Sequence, residues 1–382
     1  MKYHILGKTG MTVSEVGLGC EHLRGAKYKQ VKAVIDAVLD AGINIIDVFM
    51  PEPDVRTNIG KALAGRRDKV IIQGHIGAGL INGQYARTRN LELSKFYFND
   101  LLTRLQTDYI DIGIFHFVDS DDDFENVFNT DILKYAQGLK AKGTIKAIGM
   151  SSHNPETALR AVKTGLIDVL LFSINPAFDL LPPTEVERMV SLKDLHDDKL
   201  KGINPARSEL YETCETKGVG ITVMKGLAVG ALLQAKSSPF GVAMTPLQCI
   251  HYALTRPGVA SVLVGAQTPE EVRISSRYSD ASDEERDYSV ILANTPKYSL
   301  VGKCMYCNHC LPCSSEIDIA QLMKCLDLAL GADAVPESIR HHYSEISSTA
   351  ADCIQCGACE SNCPFKVPVI ERMKKAVYIF GK

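Results

Sequence analysis

The cysteines near the carboxyl end constrain this chain more than any other feature. Nine of the twelve cysteines lie between positions 304 and 363 of the 382 residues. In a cytoplasmic protein, thiols spaced this closely serve as metal ligands rather than as disulfide partners. The break in composition predicts two domains, one over residues 1–295 and a second over 296–382. Eight of the cysteines form two short runs, Cys304, Cys307, Cys310 and Cys313, then Cys353, Cys356, Cys359 and Cys363.

The second run has the spacing C-x2-C-x2-C-x3-C-P, and the first run differs only in its last step. This spacing is typical of bacterial ferredoxins, in which three cysteines of one run hold a cluster and the fourth ligates the other cluster. Two zinc sites are the alternative, since paired C-x2-C steps also suit tetrahedral zinc, but three close cysteines in each run favour a cubane. The predicted ligands of two [4Fe–4S] clusters are Cys304, Cys307, Cys310 and Cys363 for one, and Cys353, Cys356, Cys359 and Cys313 for the other.

The composition of the whole chain is that of a globular protein. It is 46% hydrophobic and 23% charged, with a net charge of −3, which excludes a disordered chain and gives no basic surface for nucleic acid. No apolar run reaches the ~20 residues of a membrane-spanning helix, and the first residues lack the apolar stretch of a signal peptide. We therefore expect a cytoplasmic protein without nucleic-acid or membrane partners.

Short β-branched runs alternate with longer helical segments through the first domain. Helices are predicted over 30–41 and 91–105, where apolar residues recur three and four positions apart. The alternation is typical of parallel strands that close into a (β/α)8 TIM barrel. A hairpin over residues 3–13 would close its bottom. The predicted barrel strands are 15–20, 43–47, 69–73, 109–115, 145–150, 169–174, 220–224 and 261–264.

The chemistry of such a barrel lies where its strands end, at what we call the mouth. The segment 176–205 after the sixth strand is longer than a connection needs, so it is either a cover for the mouth or a surface insertion. The predicted strand ends are unusually polar. They carry Asp47, His75, His116, Ser151, Ser152, Asn175 and Lys225.

Several motifs of the first domain are similar to those of the aldo-keto reductase superfamily. They are GINIID at 42–47, NIGKAL at 58–63, YID at 109–111, His116, and KAIGMSS at 146–152. With its cysteine-rich tail, the whole chain resembles the branch of this superfamily that carries a C-terminal 4Fe-4S domain. The resemblance implies an oxidoreductase with a (β/α)8 barrel, followed by a small, mainly helical ferredoxin-like domain.

The reaction of that family uses an aspartate, a tyrosine acid, a lysine and a histidine. An ungapped alignment from Asp47 puts Glu52 at the tyrosine position, and His75 stands at the lysine position, while His116 keeps the histidine. A carboxyl group in an apolar mouth can donate a proton, and a neighbouring histidine exchanges protons near neutral pH. We therefore predict Asp47, Glu52, His75 and His116 as the catalytic residues for proton transfer.

The nicotinamide site of the family is matched in part. Ser151 and Ser152 match the Ser-Asn pair that holds the carboxamide, and Asn175 follows the sixth strand in a similar way. Gly265 and Glu271 stand where many members have a lysine and an arginine. Because a 2′-phosphate requires cations, the resemblance disfavours NADPH and leaves NADH or no nicotinamide open.

Four cationic side chains near the predicted mouth are candidates for binding an anionic substrate, since guanidinium and ammonium groups bind carboxylate and phosphate. The alternative for the arginines is ion pairing with nearby acids. Lys225 could instead form a Schiff base or a structural salt bridge. The predicted substrate-binding residues are Arg56, Arg87, Arg89 and Lys225.

Together these features predict an iron–sulfur oxidoreductase that acts on a small, anionic carbonyl or hydroxyl compound. Two clusters would relay single electrons, with a ferredoxin or flavoprotein as the electron partner. Two alternatives stay open. The barrel could be a lyase or isomerase that uses Glu52 and His75 as acid and base, with clusters that only stabilise the fold. The chain could also be an electron-transfer or sensing protein without turnover.

Overall fold

A computed structural model describes residues 1–180, 203–293, 302, 304–330 and 334–381 of the chain. Eight parallel strands close into a barrel, in the order β10-β11-β12-β3-β4-β5-β8-β9. Each barrel strand overlaps its predicted range, so the predicted (β/α)8 barrel is confirmed. The described strands are β1 Tyr3–Ile5, β2 Thr12–Ser14, β3 Val16–Gly19, β4 Ile45–Val48, β5 Ile71–Ile76, β6 Ala78–Ile81, β7 Gln84–Arg87, β8 Ile110–Phe115, β9 Ile145–Ser152, β10 Val169–Ser173, β11 Gly220–Met224 and β12 Val259–Gly265.

The helices of the first domain lie around the barrel, and the tail is helical as predicted. In the helix Tyr28–Asp40, the buried residues are Val31, Val34, Ile35 and Val38. They recur three and four positions apart because they lie on one face of the helix. The described helices are α1 Tyr28–Asp40, α2 Pro53–Ala62, α3 Leu91–Leu105, α4 Asp121–Phe128, α5 Asp131–Ala141, α6 Pro155–Lys163, α7 Pro176–Leu180, α8 Pro205–Lys217, α9 Pro246–Leu254, α10 Pro269–Ser276, α11 Asp283–Arg286, α12 Ser289–Ala293, α13 Ile319–Leu330, α14 Glu337–Ser344, α15 Ala358–Asn362 and α16 Val369–Phe380.

The hairpin of β1 and β2 closes the bottom of the barrel, as predicted. Leu6 and Val13 are fully buried in the cluster of inward-facing barrel side chains. Gly7 has φ +50°, and a Cβ there would lie 2.3 Å from the backbone nitrogen of Gly220. Only glycine permits this close approach of the hairpin to the barrel.

A second hairpin, formed by β6 and β7, stands at the mouth directly after β5. This hairpin was not predicted from the sequence. The hydroxyl of Tyr97 donates to the carbonyl of Leu80 at 2.6 Å and ties the hairpin to α3. The hairpin brings Tyr85 and Arg87 to the mouth, which affects the candidate site directly.

The tail packs against the outside of the barrel. Arg256, fully buried after α9, donates from Nη2 to the carbonyl of Met305 at 2.9 Å, and the hydroxyl of Tyr288 donates to the same oxygen. Among the described residues, no helix is both long enough and apolar enough to cross a membrane. Residues 181–202, most of the segment 176–205, lie outside the described part of the chain, and so does the predicted boundary between 295 and 296.

Candidate active site and cysteine cavities

A chain of hydrogen bonds links three of the four predicted catalytic residues. Asp47 lies in β4, His75 in β5, and His116 follows β8, so three neighbouring strands bring them together. His75 Nε2 lies 2.9 Å from Asp47 Oδ1, and His75 Nδ1 lies 2.7 Å from His116 Nδ1. The three side chains are buried, with 6%, 2% and 5% of their residue surface exposed, respectively.

The proton positions in this chain of hydrogen bonds follow from which atoms can donate. A carboxylate only accepts, so His75 Nε2 carries the proton that is donated to Asp47. His75 Nδ1 is then an acceptor and His116 Nδ1 the donor, which leaves His116 Nε2 as an acceptor. Burial first, and then the nearby His75 and Arg89, lower the pKa of His116 well below its ordinary value. His116 is therefore neutral at pH 7.

Tyr85 completes this chain, although the sequence analysis did not select it. Its hydroxyl makes a short hydrogen bond to His116 Nε2, and because that nitrogen accepts, the phenol donates. Burial, followed by the charge of Glu21, raises the pKa of Tyr85 to about 12, so the phenol keeps its proton at neutral pH. The only available signal was a tyrosine in a polar segment after the third strand. We call Tyr85, His116, His75 and Asp47 the proton relay.

Phe49 and Gln73 hold the relay in place. The ring of Phe49 stacks on His116 with centroids 5.5 Å apart and an interplanar angle of 13°. Gln73 donates from Nε2 to Asp47 at 3.1 Å and accepts at Oε1 from the hydroxyl of Thr222 at 2.8 Å. The ring of Phe49 thus covers one side of the relay, and the amide of Gln73 bonds both the carboxylate of Asp47 and the hydroxyl of Thr222.

Glu52 does not belong to the relay, contrary to the prediction. It precedes α2 as the N-cap residue, and its Oε1 forms an ion pair with Arg24 Nη2 at 2.5 Å. Its buried Oε2 has no hydrogen-bond partner among the described residues. The ungapped alignment failed because the tyrosine that contacts His116 comes from a different strand.

The three residues expected to hold a nicotinamide are engaged within the protein. Ser151 Oγ accepts from the backbone nitrogen of Phe117 at 2.8 Å, and Ser152 Oγ donates to Asp119 Oδ1 at 2.8 Å. The amide of Asn175 donates to the carbonyl of Lys225 at 2.9 Å and accepts from the nitrogen of Phe178 at 2.9 Å. These bonds use part of the hydrogen-bonding capacity of the three side chains, each of which keeps a further donor or acceptor position.

Gly265 and Glu271, the two positions that led us to disfavour NADPH, have different surroundings. A Cβ at Gly265 would lie 2.1 Å from the ring of His22, so the imidazole fills the space of a side chain there. Glu271 accepts at Oε2 from the nitrogens of Gln267 at 2.6 Å and Thr268 at 3.2 Å, and forms a capping box at α10. A carboxylate therefore occupies a helix N-terminus that could otherwise attract a phosphate.

The three predicted arginines do not gather at the mouth to bind an anion. Arg56 is fully buried and donates to the carbonyls of Met50 and Tyr97 and to Asp100. The prediction for Arg56 is corrected, because its guanidinium braces α2 against α3.

Arg87 and Arg89 do lie together, and both pair with the same carboxylate. Arg87 Nη1 lies 2.7 Å from Asp123 Oδ2, and Arg89 Nη2 lies 3.1 Å from Asp123 Oδ1. Both also donate to the carbonyl of Phe117, and Arg89 donates to that of His116 at 2.9 Å. Their observed bonds fix the backbone that carries His116.

Lys225 follows β11 at the mouth and makes an unusual contact. Its Nζ lies 2.9 Å from His153 Nε2, and His153 Nδ1 lies 2.9 Å from Asp119 Oδ2. No carboxylate of the described residues lies within ion-pair distance of Lys225. The structural salt bridge considered for this lysine is therefore absent from the described part of the chain.

The cysteines of the tail line two neighbouring cavities. Their volumes are about 340 Å³ and about 390 Å³ with the adjoining open solvent included, and Cys310 and Ile319 line both. The cysteines around the smaller cavity are Cys304, Cys307, Cys310 and Cys363. Those around the larger one are Cys310, Cys313, Cys353, Cys356 and Cys359.

Comparison with known proteins places the barrel in a family. The sequence model of the Aldo/keto reductase family matches residues 15–248, which is more than half of the chain. "Uncharacterized oxidoreductase YqkF" of Bacillus subtilis (strain 168) is 26% identical over 296 residues, covering 74% of this chain and 92% of that protein. "Aldo-keto reductase YhdN" of the same organism is 26% identical over 330 residues, covering 77% of this chain and 95% of that protein.

Solved structures show the same fold. The holo form of aldo-keto reductase AKR11C1 from Bacillus halodurans superposes with a TM-score of 0.59 at 24% identity, covering 75% of this chain and 94% of that chain. The family match ends before the cysteine-rich tail, at residue 248. It does include the strands that carry the proton relay. The chain belongs to the Aldo/keto reductase family, and this membership identifies it as an oxidoreductase.

Proposed function

We propose that this protein is an iron–sulfur oxidoreductase that interconverts a small carbonyl compound and its alcohol, with electrons carried by two [4Fe–4S] clusters in the tail. One observation carries the proposal. The four cysteines Cys304, Cys307, Cys310 and Cys363 surround one cavity, although Cys363 is separated from the others by fifty residues or more in sequence. This is the crossed arrangement of ferredoxins with two clusters.

The arrangement of these cysteines fits clusters better than zinc. A zinc ion requires four ligands that converge on one point, with Zn–S bonds of about 2.3 Å. Each run instead places three cysteines close together, which favours a cubane over a zinc ion, and the thiols line two neighbouring cavities.

The two cavities are neighbours, which supports electron transfer between their occupants. Cys310 and Ile319 belong to the walls of both. When bound, the clusters would supply or accept single electrons. We propose a ferredoxin or flavoprotein as their partner outside the chain.

The proton relay would take a proton from the oxygen of the substrate or return one to it. In its resting arrangement, every hydrogen in the relay points from Tyr85 toward Asp47. When a substrate hydroxyl gives its proton to the Tyr85 oxygen, the phenol proton passes to His116 Nε2. The His116 Nδ1 proton then passes to His75, and the His75 Nε2 proton to Asp47. The shifted relay has Asp47 protonated and holds one of the two protons that oxidation of an alcohol releases; the second proton, from the carbon, would pass to water, and the two electrons would pass to the bound clusters. The reverse shift returns a proton to a carbonyl oxygen, so the relay works in both directions.

We further propose that the barrel does not use NADPH. The support is the internal bonding of Ser151, Ser152 and Asn175, together with the carboxylate of Glu271 at the N-terminus of α10. NADH lacks the 2′-phosphate but meets the same three partly engaged side chains. Arg87 and Arg89 share the single carboxylate of Asp123, and the uncompensated positive charge of this group is what supports an anionic substrate.

The first experiment is chemical analysis of protein purified without oxygen. Iron, sulfide and zinc are quantified, and EPR spectra are recorded after reduction by dithionite, NADH and NADPH in parallel samples. We expect about eight irons and eight sulfides per chain and an EPR signal with dithionite but not with NADPH. Stoichiometric zinc without sulfide would refute the clusters, and rapid reduction by NADPH would refute the proposed choice of electron donor.

A further inference from the structure

The contact between Lys225, which is partly buried, and the buried His153 forms a second polar group, separate from the proton relay. Asp119 accepts hydrogen bonds from His153 Nδ1 at 2.9 Å, from the His153 backbone nitrogen at 2.6 Å, and from Ser152 Oγ at 2.8 Å. These bonds hold Asp119 as a carboxylate. Burial acts to raise its pKa, but the hydrogen bonds from His153 and Ser152 keep that pKa below the ordinary value.

An ionised Asp119 fixes the tautomer of His153. Because the carboxylate accepts, His153 Nδ1 carries the proton, and the lone pair of Nε2 faces Lys225 Nζ at 2.9 Å. Burial is the largest influence on His153 and lowers its pKa, so the ring is neutral and can accept a proton. A carboxylate, an imidazole and a nucleophile in this order form the arrangement that activates hydroxyl and thiol nucleophiles in other enzymes.

The surroundings of Lys225 make its ammonium group easier to deprotonate than that of an exposed lysine. Burial lowers its pKa, while the charges of Asp119 and Glu21 oppose this without contacting Nζ. A lysine that served only as a cation would face a carboxylate at ion-pair distance. Within the described residues, Lys225 faces the imidazole nitrogen instead.

The backbone at this place is strained in two residues that are not glycine. Lys225 has φ +56° and Phe117 has φ +53°, both in the left-handed region that side chains other than glycine disfavour. The ring of Phe117 lies 5.0 Å from that of His153 and 6.2 Å from that of His116, measured between centroids. Strain of this kind concentrates at functional sites. Here Phe117 lies between the proton relay and the Lys225 group.

We propose that Lys225 is an amine nucleophile that forms a Schiff base with a small aldehyde or ketone. His153 Nε2 takes a proton from the ammonium group, and the freed Nζ adds to the carbonyl carbon, giving a carbinolamine after one proton moves from nitrogen to oxygen. Protonated His153 then donates to the hydroxyl, the C–O bond breaks and water leaves. The product is a protonated imine, and His153 is neutral again. Asp119 is a positioning residue that orients the ring.

The reaction needs no electron from the tail, so its test does not depend on whether the proposed clusters are present. The full chain is incubated at pH 7 with propionaldehyde and sodium cyanoborohydride, which reduces the imine to a stable propyl amine. Peptide mass spectrometry then gives the rate of modification at each lysine. The internal control is Lys134, whose side chain is 78% exposed and which lies 2.9 Å from Asp131.

We expect Lys225 to be modified at least ten times faster than Lys134. In His153→Gln the side chain still offers a hydrogen-bond acceptor but takes no proton, so the Lys225 rate should fall at least tenfold while the Lys134 rate stays unchanged. The melting temperature of the variant is measured alongside. Modification of Lys225 no faster than Lys134 in the parent protein overturns the proposal. An unchanged Lys225 rate in a folded His153→Gln protein overturns the role of His153.

Discussion

His75 and His116 face each other through their Nδ1 atoms, which lie 2.7 Å apart. Two neutral imidazoles can share such a bond only if one donates and the other accepts, so the proton on one ring fixes the proton on the other. Because Asp47 fixes His75, and His75 fixes His116, the orientation of the Tyr85 hydroxyl is also fixed. The carboxylate of Asp47 thereby sets the direction of three other groups across three barrel strands and a hairpin.

Tyr85→Phe should reduce turnover by ~10² to 10⁴-fold, the usual contribution of a positioned proton donor. The assay is reduction of acetaldehyde with chemically reduced methyl viologen as electron donor. The matched variant is Glu52→Gln, which breaks the ion pair with Arg24 but leaves the relay intact. We expect less than a tenfold loss there. If Glu52→Gln were the more damaging change, the proton would come from Glu52 and not from Tyr85.

Cys363→Ser should remove the cluster that we assign to the first cysteine run. Cys363 lines the cavity of Cys304, Cys307 and Cys310 rather than that of its sequence neighbours. Iron per chain should fall by about half, as measured by colorimetric analysis of anaerobic protein. Cys325→Ser is the control, because Cys325 is buried in α13 and lines neither cavity, and its iron content should not change. Full iron content in Cys363→Ser would contradict the crossed assignment.

Arg256→Gln should lower the reduction potential of the cluster held by Cys304, Cys307, Cys310 and Cys363. Arg256 is buried, its Nη2 donates to the carbonyl of Met305 inside that loop, and its Nε and Nη1 have no hydrogen-bond partner in the part of the chain that the structure describes. A nearby positive charge stabilises the reduced, more negative cluster. We expect about a tenfold change in the reduction equilibrium, which is 59 mV for one electron, in an EPR-monitored redox titration.

Two further variants test whether the charge of Arg256 is responsible. Arg256→Lys keeps the positive charge and should restore most of the potential. Arg286→Gln removes the same charge from a guanidinium that also donates to backbone carbonyls, those of Tyr278 and Ser279, and it should leave the potential unchanged. Equal shifts in Arg256→Gln and Arg256→Lys would indicate a packing effect.

Stability should decrease as the pH falls below 6.5. Burial, followed by the charges of Arg286 and Arg256, lowers the pKa of His251 from 6.5 to about 4. Between these values the unfolded chain binds a proton that the folded chain does not, so the free energy of unfolding falls with the pH. The full effect of this one group is about 3 kcal/mol, from ~1.4 kcal/mol per pKa unit.

The measurement is urea denaturation at several pH values between 4 and 8. His251→Gln keeps a side chain that can bond the Tyr278 hydroxyl, which lies 2.9 Å from His251 Nδ1. The decline should be shallower in this variant. It should not vanish, because burial also lowers the pKa values of His116 and His153. Parallel curves for the two proteins would show that His251 does not contribute.

Asp179→Asn should destabilise the protein by ~3 to 5 kcal/mol, because it leaves a buried guanidinium without its counter-charge. Asp179 Oδ1 lies 2.7 Å from Arg207 Nε and accepts from the hydroxyl of Tyr211 at 2.6 Å, and all three residues are buried. Tyr211→Phe removes one neutral donor and should cost only about 1 kcal/mol. Thermal and urea denaturation give both values, and equal losses would contradict an ion-pair origin.

The hydrophobic periodicity and the polar strand ends could be predicted from the sequence, because both depend only on the order of residues that are neighbours along the chain. The eight strands appear as short β-branched runs, since a parallel strand is buried on both faces, and the alternation with helices leaves few topologies. Asp47, His75 and His116 were identified for the same reason, because residues at the ends of neighbouring strands must meet at the mouth. The cysteine spacing predicts two clusters with crossed ligands, and that assignment stays a prediction.

The tertiary structure decided which polar groups are already satisfied. Tyr85 reaches His116 only because the hairpin of β6 and β7 folds over the mouth, and no local pattern specifies that contact. Arg56 looks the same in sequence as an anion-binding arginine, yet it is fully buried against α3. A sequence lists the donors and acceptors of a chain, but their pairing depends on distances between segments far apart along it, and those distances exist only in the folded protein.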